Sequence, residues 1–187
     1  MKYLIYAGIL GFSCWGISEV IEIFSGYTPS VYYLTASYHF FAGFGIWALH
    51  KIQSAKNNLL SQIGAVIILI TYLGLTYFPI QVMNSGLSIS EFLAGNTLYK
   101  LVGGIWFLGM MLFGISILKT KFYPFWTGII FILGTIFFVS ILPLTGSSLL
   151  LNLSNLLFSI SVLYLLTLGM KNLKGDYLKR KINGSFE

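Results

Sequence analysis

Charge is what this sequence has least of. Asp, Glu, Lys and Arg together make up 9% of its 187 residues, 57% are hydrophobic, and the mean hydropathy is +0.85. A soluble domain carries roughly 25% charged residues. The polar surface here is too small to cover a water-facing globule, so the expected solvent for most of the chain is lipid. Cysteine is nearly absent. Cys14 is alone, which excludes an intrachain disulfide and thiol-pair redox chemistry and leaves the redox compartment unspecified. Motifs that carry chemistry are missing too: there is no P-loop, no G-x-S-x-G and no H-E-x-x-H. The carboxylates and histidines do not have the spacing of an intramembrane metalloprotease. No metal and no cofactor is expected, and no internal repeat stands out.

What is present is a series of long apolar runs. A helix crossing a bilayer needs about 20 mostly apolar residues. Runs of that kind fall at 3–25, 30–50, 59–83, 97–118, 123–143 and 148–170. Short turns separate them, such as Ser25-Gly26-Tyr27-Thr28-Pro29, Asn84-Ser85-Gly86 and Thr145-Gly146-Ser147. The runs are continuous and do not alternate, which favours helices over a β-barrel. The expectation is an all-α polytopic membrane protein. It has one six-helix domain over 1–170 and a basic tail over 171–187. The first run is long and contains Glu19 and Glu22, and no small-residue cleavage site follows it, so it reads as a span and not as a cleaved signal peptide.

The net charge of +6 points to topology and not to nucleic acid. Lys2 precedes the first run. Lys51 and Lys56 lie between the second and third, and Lys119 and Lys121 between the fourth and fifth. Lys171, Lys174, Lys179, Arg180 and Lys181 follow the sixth. The other three connections have no Lys or Arg. The positive-inside rule then places both termini in the cytoplasm of a bacterial inner-membrane protein. The tail should rest on anionic lipid headgroups, each Lys or Arg near the surface contributing about 1 kcal/mol. A binding site for a cytoplasmic partner protein is the alternative for that tail, and a partner membrane protein is a further candidate.

With that orientation the polar residues collect in the outer half. Glu19 and Glu22 lie there in the first span, three apart and on one face with Trp15 and Ser18 nearby. His39 is near mid-depth in the second span, on a face with Tyr32, Thr35 and Gly43. Gln81 and Asn84 end the third, Asn96 and Lys100 begin the fourth, and Asn152 and Asn155 lie in the sixth. A carboxylate at mid-helix costs about 2.5–3.5 kcal/mol on insertion scales, so it faces the bundle interior or a wet cavity. Lys100 is the one outer cation and is expected to pair with Glu22 or Glu19, with His39 close by. His50 should be solvated at the cytoplasmic interface. The stretch Leu87 to Leu98 is weakly amphipathic, with Glu91 exposed near a helix start. Small residues, among them Ala7 with Gly11, Gly103 with Gly104, and Ala42-Gly45-Ala48, let helices approach closely.

One segment has a recognisable pattern. Gly104-Ile105-Trp106 leads to a basic turn, then Pro124-Phe125-Trp126-Thr127-Gly128 opens the next helix. About 30 residues resemble bacterial membrane proteins of six to seven spans classed as a domain of unknown function. That resemblance implies the fold and no functional residue. In size and topology the chain is also similar to the substrate-binding subunits of energy-coupling-factor transporters. Those bind a vitamin in an outward-facing pocket and dock through small-residue faces, a role Ala7 and Gly11 would suit.

These features give a leading functional expectation. It is a non-enzymatic protein that binds or transports a small ligand through an outward-facing pocket lined by Glu19, Glu22, His39, Lys100 and Asn155. Two alternatives stand beside it. One is a structural or regulatory subunit whose polar groups only lock helices together. The other is an intramembrane enzyme on a lipid-linked substrate, with Glu19 or His39 as general base.

Overall fold

The computed structural model describes the chain except for residues 54–57, 88–90, 93, 94, 121, 146 and 183–187, and the side chains of 141–145 and 174–182. Lys56, Lys121, the Ser88–Ser90 part of the amphipathic stretch and the cationic side chains from Lys174 onward therefore lie outside the described residues. Every regular element among the described residues is an α-helix. They are α1 (Lys2–Ser25), α2 (Pro29–Gln53), α3 (Leu59–Leu75), α4 (Phe78–Ser85), α5 (Thr97–Thr120), α6 (Phe125–Thr145) and α7 (Ser148–Ile182).

Local chemistry sets the helix ends. Asn58, Asn96 and Ser147 each precede a helix, and each side-chain oxygen accepts a backbone N–H three residues on, from Ser61, Tyr99 and Leu150. These bonds satisfy donors that have no partner within the helix. Gly26 ends α1 with φ 68°, a left-handed value that a Cβ disfavours. The third apolar run is broken between α3 and α4. Pro79 has no N–H to bond the carbonyl four residues back and its ring crowds that carbonyl, so α3 stops at Leu75 and a new helix begins at Phe78. The last helix runs beyond residue 170, carrying the start of the basic tail as a continuous helix.

Four helical stretches are long and apolar enough to cross a membrane: Lys2–Ser25, Leu59–Ser85, Thr97–Thr120 and Ser148–Leu173. α2 has 25 residues, but its Tyr, Ser, Thr and His residues keep it out of that group. Phe125–Ser140 is apolar and shorter. Even the most apolar segments leave many large hydrophobic side chains exposed, including Ile70, Leu101, Leu108, Leu157 and Ile160. A water-soluble protein does not leave that much apolar surface uncovered, so the chain is built as a membrane protein.

α1 packs on α2 and α7, α3 on α2 and α5, and α6 on α5 and α7. Small residues govern the tightest seam. Gly8 of α1 faces Gly45 of α2, and a Cβ on either would overlap the other's Cα. One turn along, Gly11 meets the backbone of Phe41 and Ala42. Gly11 is thus consumed inside the chain and is not a free face for docking. Gly103 and Gly104 on α5 have open space where a Cβ would go.

Candidate functional site

The deepest carboxylate is buried and paired across the bundle. Glu19 is 6% exposed. Its Oε1 accepts a hydrogen bond from Trp15 Nε1 at 2.5 Å and another from Asn155 Nδ2 at 3.1 Å. Trp15 and Glu19 are four apart on α1, so helical spacing alone brings them together. Asn155 comes from α7, and the pairing follows from depth. At about 1.5 Å per residue, Glu19 lies about 9 Å from the Ser25 end of α1 and Asn155 about 10 Å from the Ser148 start of α7. One turn deeper, Ser159 Oγ donates to the Phe12 carbonyl at 2.5 Å and ties the same two helices again.

The pair is incompletely satisfied. Glu19 Oε2 and Asn155 Oδ1 are buried and have no hydrogen-bond partner. Both are acceptors while the carboxylate is ionised, and they flank the same Asn155–Glu19 bond. A buried polar group without a partner costs about 1–3 kcal/mol, so two at one place call for a physical reason.

The other predicted site residues divide. Glu22 is half-buried, and its charge acts on the Tyr27 hydroxyl. Desolvation first, and then the Glu22 charge, hold that hydroxyl above the usual tyrosine range, so it stays a donor. Lys100 is exposed on α5 and is not among the donors to Glu19, whose Oε1 is bonded by the indole and the amide. His39 Nδ1 is buried without a partner. Its ring rests against Tyr38 at 4.8 Å and Tyr72 at 5.7 Å between centroids. The structure therefore joins Glu19 to Asn155, sets His39 in the neighbouring aromatic cluster, and puts Lys100 on an exposed face of α5.

Several participants are not evident from the sequence. Tyr38 stacks on Trp15 with centroids 4.4 Å apart, and its hydroxyl bonds that of Tyr72. Trp106 approaches Tyr72, and its Nε1 is buried without an acceptor. Helical spacing flags Trp15 as a neighbour of Glu19. Nothing local flags Tyr38, Tyr72 or Trp106, since an aromatic in an apolar run reads as core.

A second polar cluster sits at the opposite ends of α2, α3 and α5. His50, expected to be solvated, is 4% exposed. Its Nδ1 lies 2.8 Å from Ser61 Oγ, while Gln53 Nε2 donates to Ser61 Oγ at 2.5 Å and to Ser116 Oγ at 3.0 Å. His50 turns inward because the start of α3 packs on the end of α2 and offers it a hydroxyl, a tertiary contact that loop position does not reveal. A surface depression of about 490 Å³ lies over the link into α5, lined by Leu87, Glu91, Phe92, Gly95, Asn96 and Thr97. It shares no residue with either polar cluster.

Among the described residues no group of three or more His, Cys, Asp or Glu could hold a metal ion. No protein-family model, curated protein or solved structure matches the chain.

Proposed function

We propose that this chain is a six-span inner-membrane protein with both termini in the cytoplasm, and that it binds or transports a small ligand entering from the outer side at the Glu19–Asn155 pair. The observation that carries the reading is the pair of buried, unpartnered acceptors, Glu19 Oε2 and Asn155 Oδ1. An interior that only needed a helix lock would gain by satisfying both. The orientation rests on the distribution of Lys and Arg over alternate connections. The non-enzymatic assignment is supported by the partners of Glu19: they are Trp15 and Asn155, and His39 Nδ1 bonds neither carboxylate oxygen. A general base working with His39 would need a hydrogen bond to it or to a shared water.

A structural or regulatory subunit is the second reading. It is favoured by the direct ties from α1 to α7 through Asn155 and Ser159. Native mass spectrometry of protein gently extracted from its host membrane, beside a Glu19→Gln variant, separates the two. The ligand reading expects a co-purifying small molecule that is lost in the variant. If nothing co-purifies and the variant merely melts earlier, the subunit reading replaces it. In both readings the basic end of α7 meets anionic headgroups.

A further inference from the structure

The aromatic rings beside Glu19 close on themselves. Trp15 of α1 stacks on Tyr38 of α2 at 4.4 Å, and Tyr38 meets Tyr72 of α3 at 5.2 Å. Tyr72 meets Trp106 of α5 at 6.1 Å, and Trp106 meets Phe138 of α6 at 5.1 Å. Phe138 returns to Trp15 at 6.1 Å. Five helices each contribute one ring. Trp15, Tyr38, Tyr72 and Trp106 are buried. Phe138 is half-buried and is the side on which the cycle meets the surface.

The ring faces of this cycle and the two oxygens beside Glu19 carry the same electrostatic sign, and the Trp106 indole N–H is an unpartnered donor at its edge. Ring faces carry the negative end of the aromatic quadrupole and attract cations within about 6 Å of a centroid. The groups left without partners beside the rings include two acceptor oxygens, Glu19 Oε2 and Asn155 Oδ1. The bonds to Glu19 Oε1 come from neutral N–H groups. An anion would meet the carboxylate and the ring faces. A neutral apolar molecule would leave both oxygens unsatisfied. A cation would face the oxygens and the ring faces with the opposite charge, and a protonated amine would also donate hydrogen bonds to the oxygens. Resting on the ligand-binding reading above, we infer that the ligand is a small organic cation, a protonated amine or a quaternary ammonium. It is held against Trp15, Tyr38 and Trp106, with Glu19 as its counter-ion. A free amine and the ammonium headgroup of a lipid share this chemistry.

The test uses the full chain in an uncharged maltoside detergent and follows tryptophan fluorescence and thermal unfolding. Tetramethylammonium, choline and protonated tyramine are titrated, with 3,3-dimethylbutan-1-ol as the neutral isostere of choline and dihexanoyl-phosphatidylcholine as the lipid-borne cation. At least one cation should give a saturable response. For choline that response should be about tenfold or more tighter than for the alcohol. Saturation by the free cations assigns a soluble ligand, and saturation by the phospholipid alone assigns a headgroup. Glu19→Gln and Trp106→Leu should each weaken the cation about tenfold or more. If Glu19→Gln does not fold, Trp106→Leu still decides, because it leaves the Glu19–Asn155 bond in place. Binding of the alcohol as tight as choline overturns the cation class and leaves the ligand-binding reading standing. So does a neutral or anionic molecule found by native mass spectrometry while every cation fails. No response to any probe, with nothing co-purifying, removes both.

Discussion

Asn155→Ala should loosen the bundle at one identifiable contact. The substitution removes the 3.1 Å bond from α7 to Glu19 Oε1 and leaves that oxygen only the indole of its own helix. Interhelical hydrogen bonds in membrane proteins average about 0.6 kcal/mol, with a maximum near 1.7, whereas bonds to charged groups in folded proteins reach about 1.5–3. Glu19 is buried and accepts only two bonds, so a coupling of about 1–2 kcal/mol between positions 19 and 155 is expected. The assay is a double-mutant cycle of Glu19→Ala and Asn155→Ala, with stability read by detergent-driven unfolding. Trp15→Phe in the same background serves as a control. It keeps the ring stacked on Tyr38 but removes the second donor, so the coupling should persist. A coupling within about 0.3 kcal/mol of zero would mean the two side chains are independent, and the α1–α7 bond could not then organise a site.

Four further outcomes follow from the packing and the charge pattern. Gly45→Ala puts a methyl onto Gly8 Cα and should destabilise by about 1–3 kcal/mol. Gly103→Ala enters open space and should stay within about 0.5 kcal/mol, both measured by the same unfolding assay. Ser61→Ala strips the hydroxyl shared by His50 and Gln53 and should cost about 1–3 kcal/mol. Equal stability would mean water replaces the hydroxyl. In a Cys14→Ser background, single cysteines at Thr28 and Ser85 should react with an impermeant maleimide in intact cells, while those at Lys119 and Lys171 should react only after permeabilisation. The reverse pattern would invert the topology.

Helix positions were legible in the sequence because hydropathy, turn residues and caps agree. The runs at 3–25, 30–50, 97–118 and 123–143 correspond to α1, α2, α5 and α6 within a few residues. The break at Pro79 was not legible, because the run from Leu59 to Ser85 stays apolar throughout, and a proline within it does not say whether neighbouring helices will tolerate a bend. The extent of α7 was not legible either, since hydropathy ends near residue 170 while helix propensity does not. At the site, depth alone placed Glu19 and Asn155 in one layer, and the structure joins them. Depth placed Lys100 in that layer as well, but rotation about the α5 axis puts it on the exposed face. Trp15 follows from i,i+4 spacing. Tyr38, Tyr72, Trp106 and Phe138 come from four other helices, and their contacts depend on rotations that no single helix encodes.

A cryo-electron-microscopy map of the detergent-extracted protein would show what occupies the space beside Glu19 Oε2. A bound ligand should appear as non-protein density within hydrogen-bonding distance of Glu19 Oε2 and Asn155 Oδ1, bounded by Trp15 and Tyr38. Both oxygens bonded by the protein's own side chains, with the aromatic cycle packed shut around them, would rule out a ligand there.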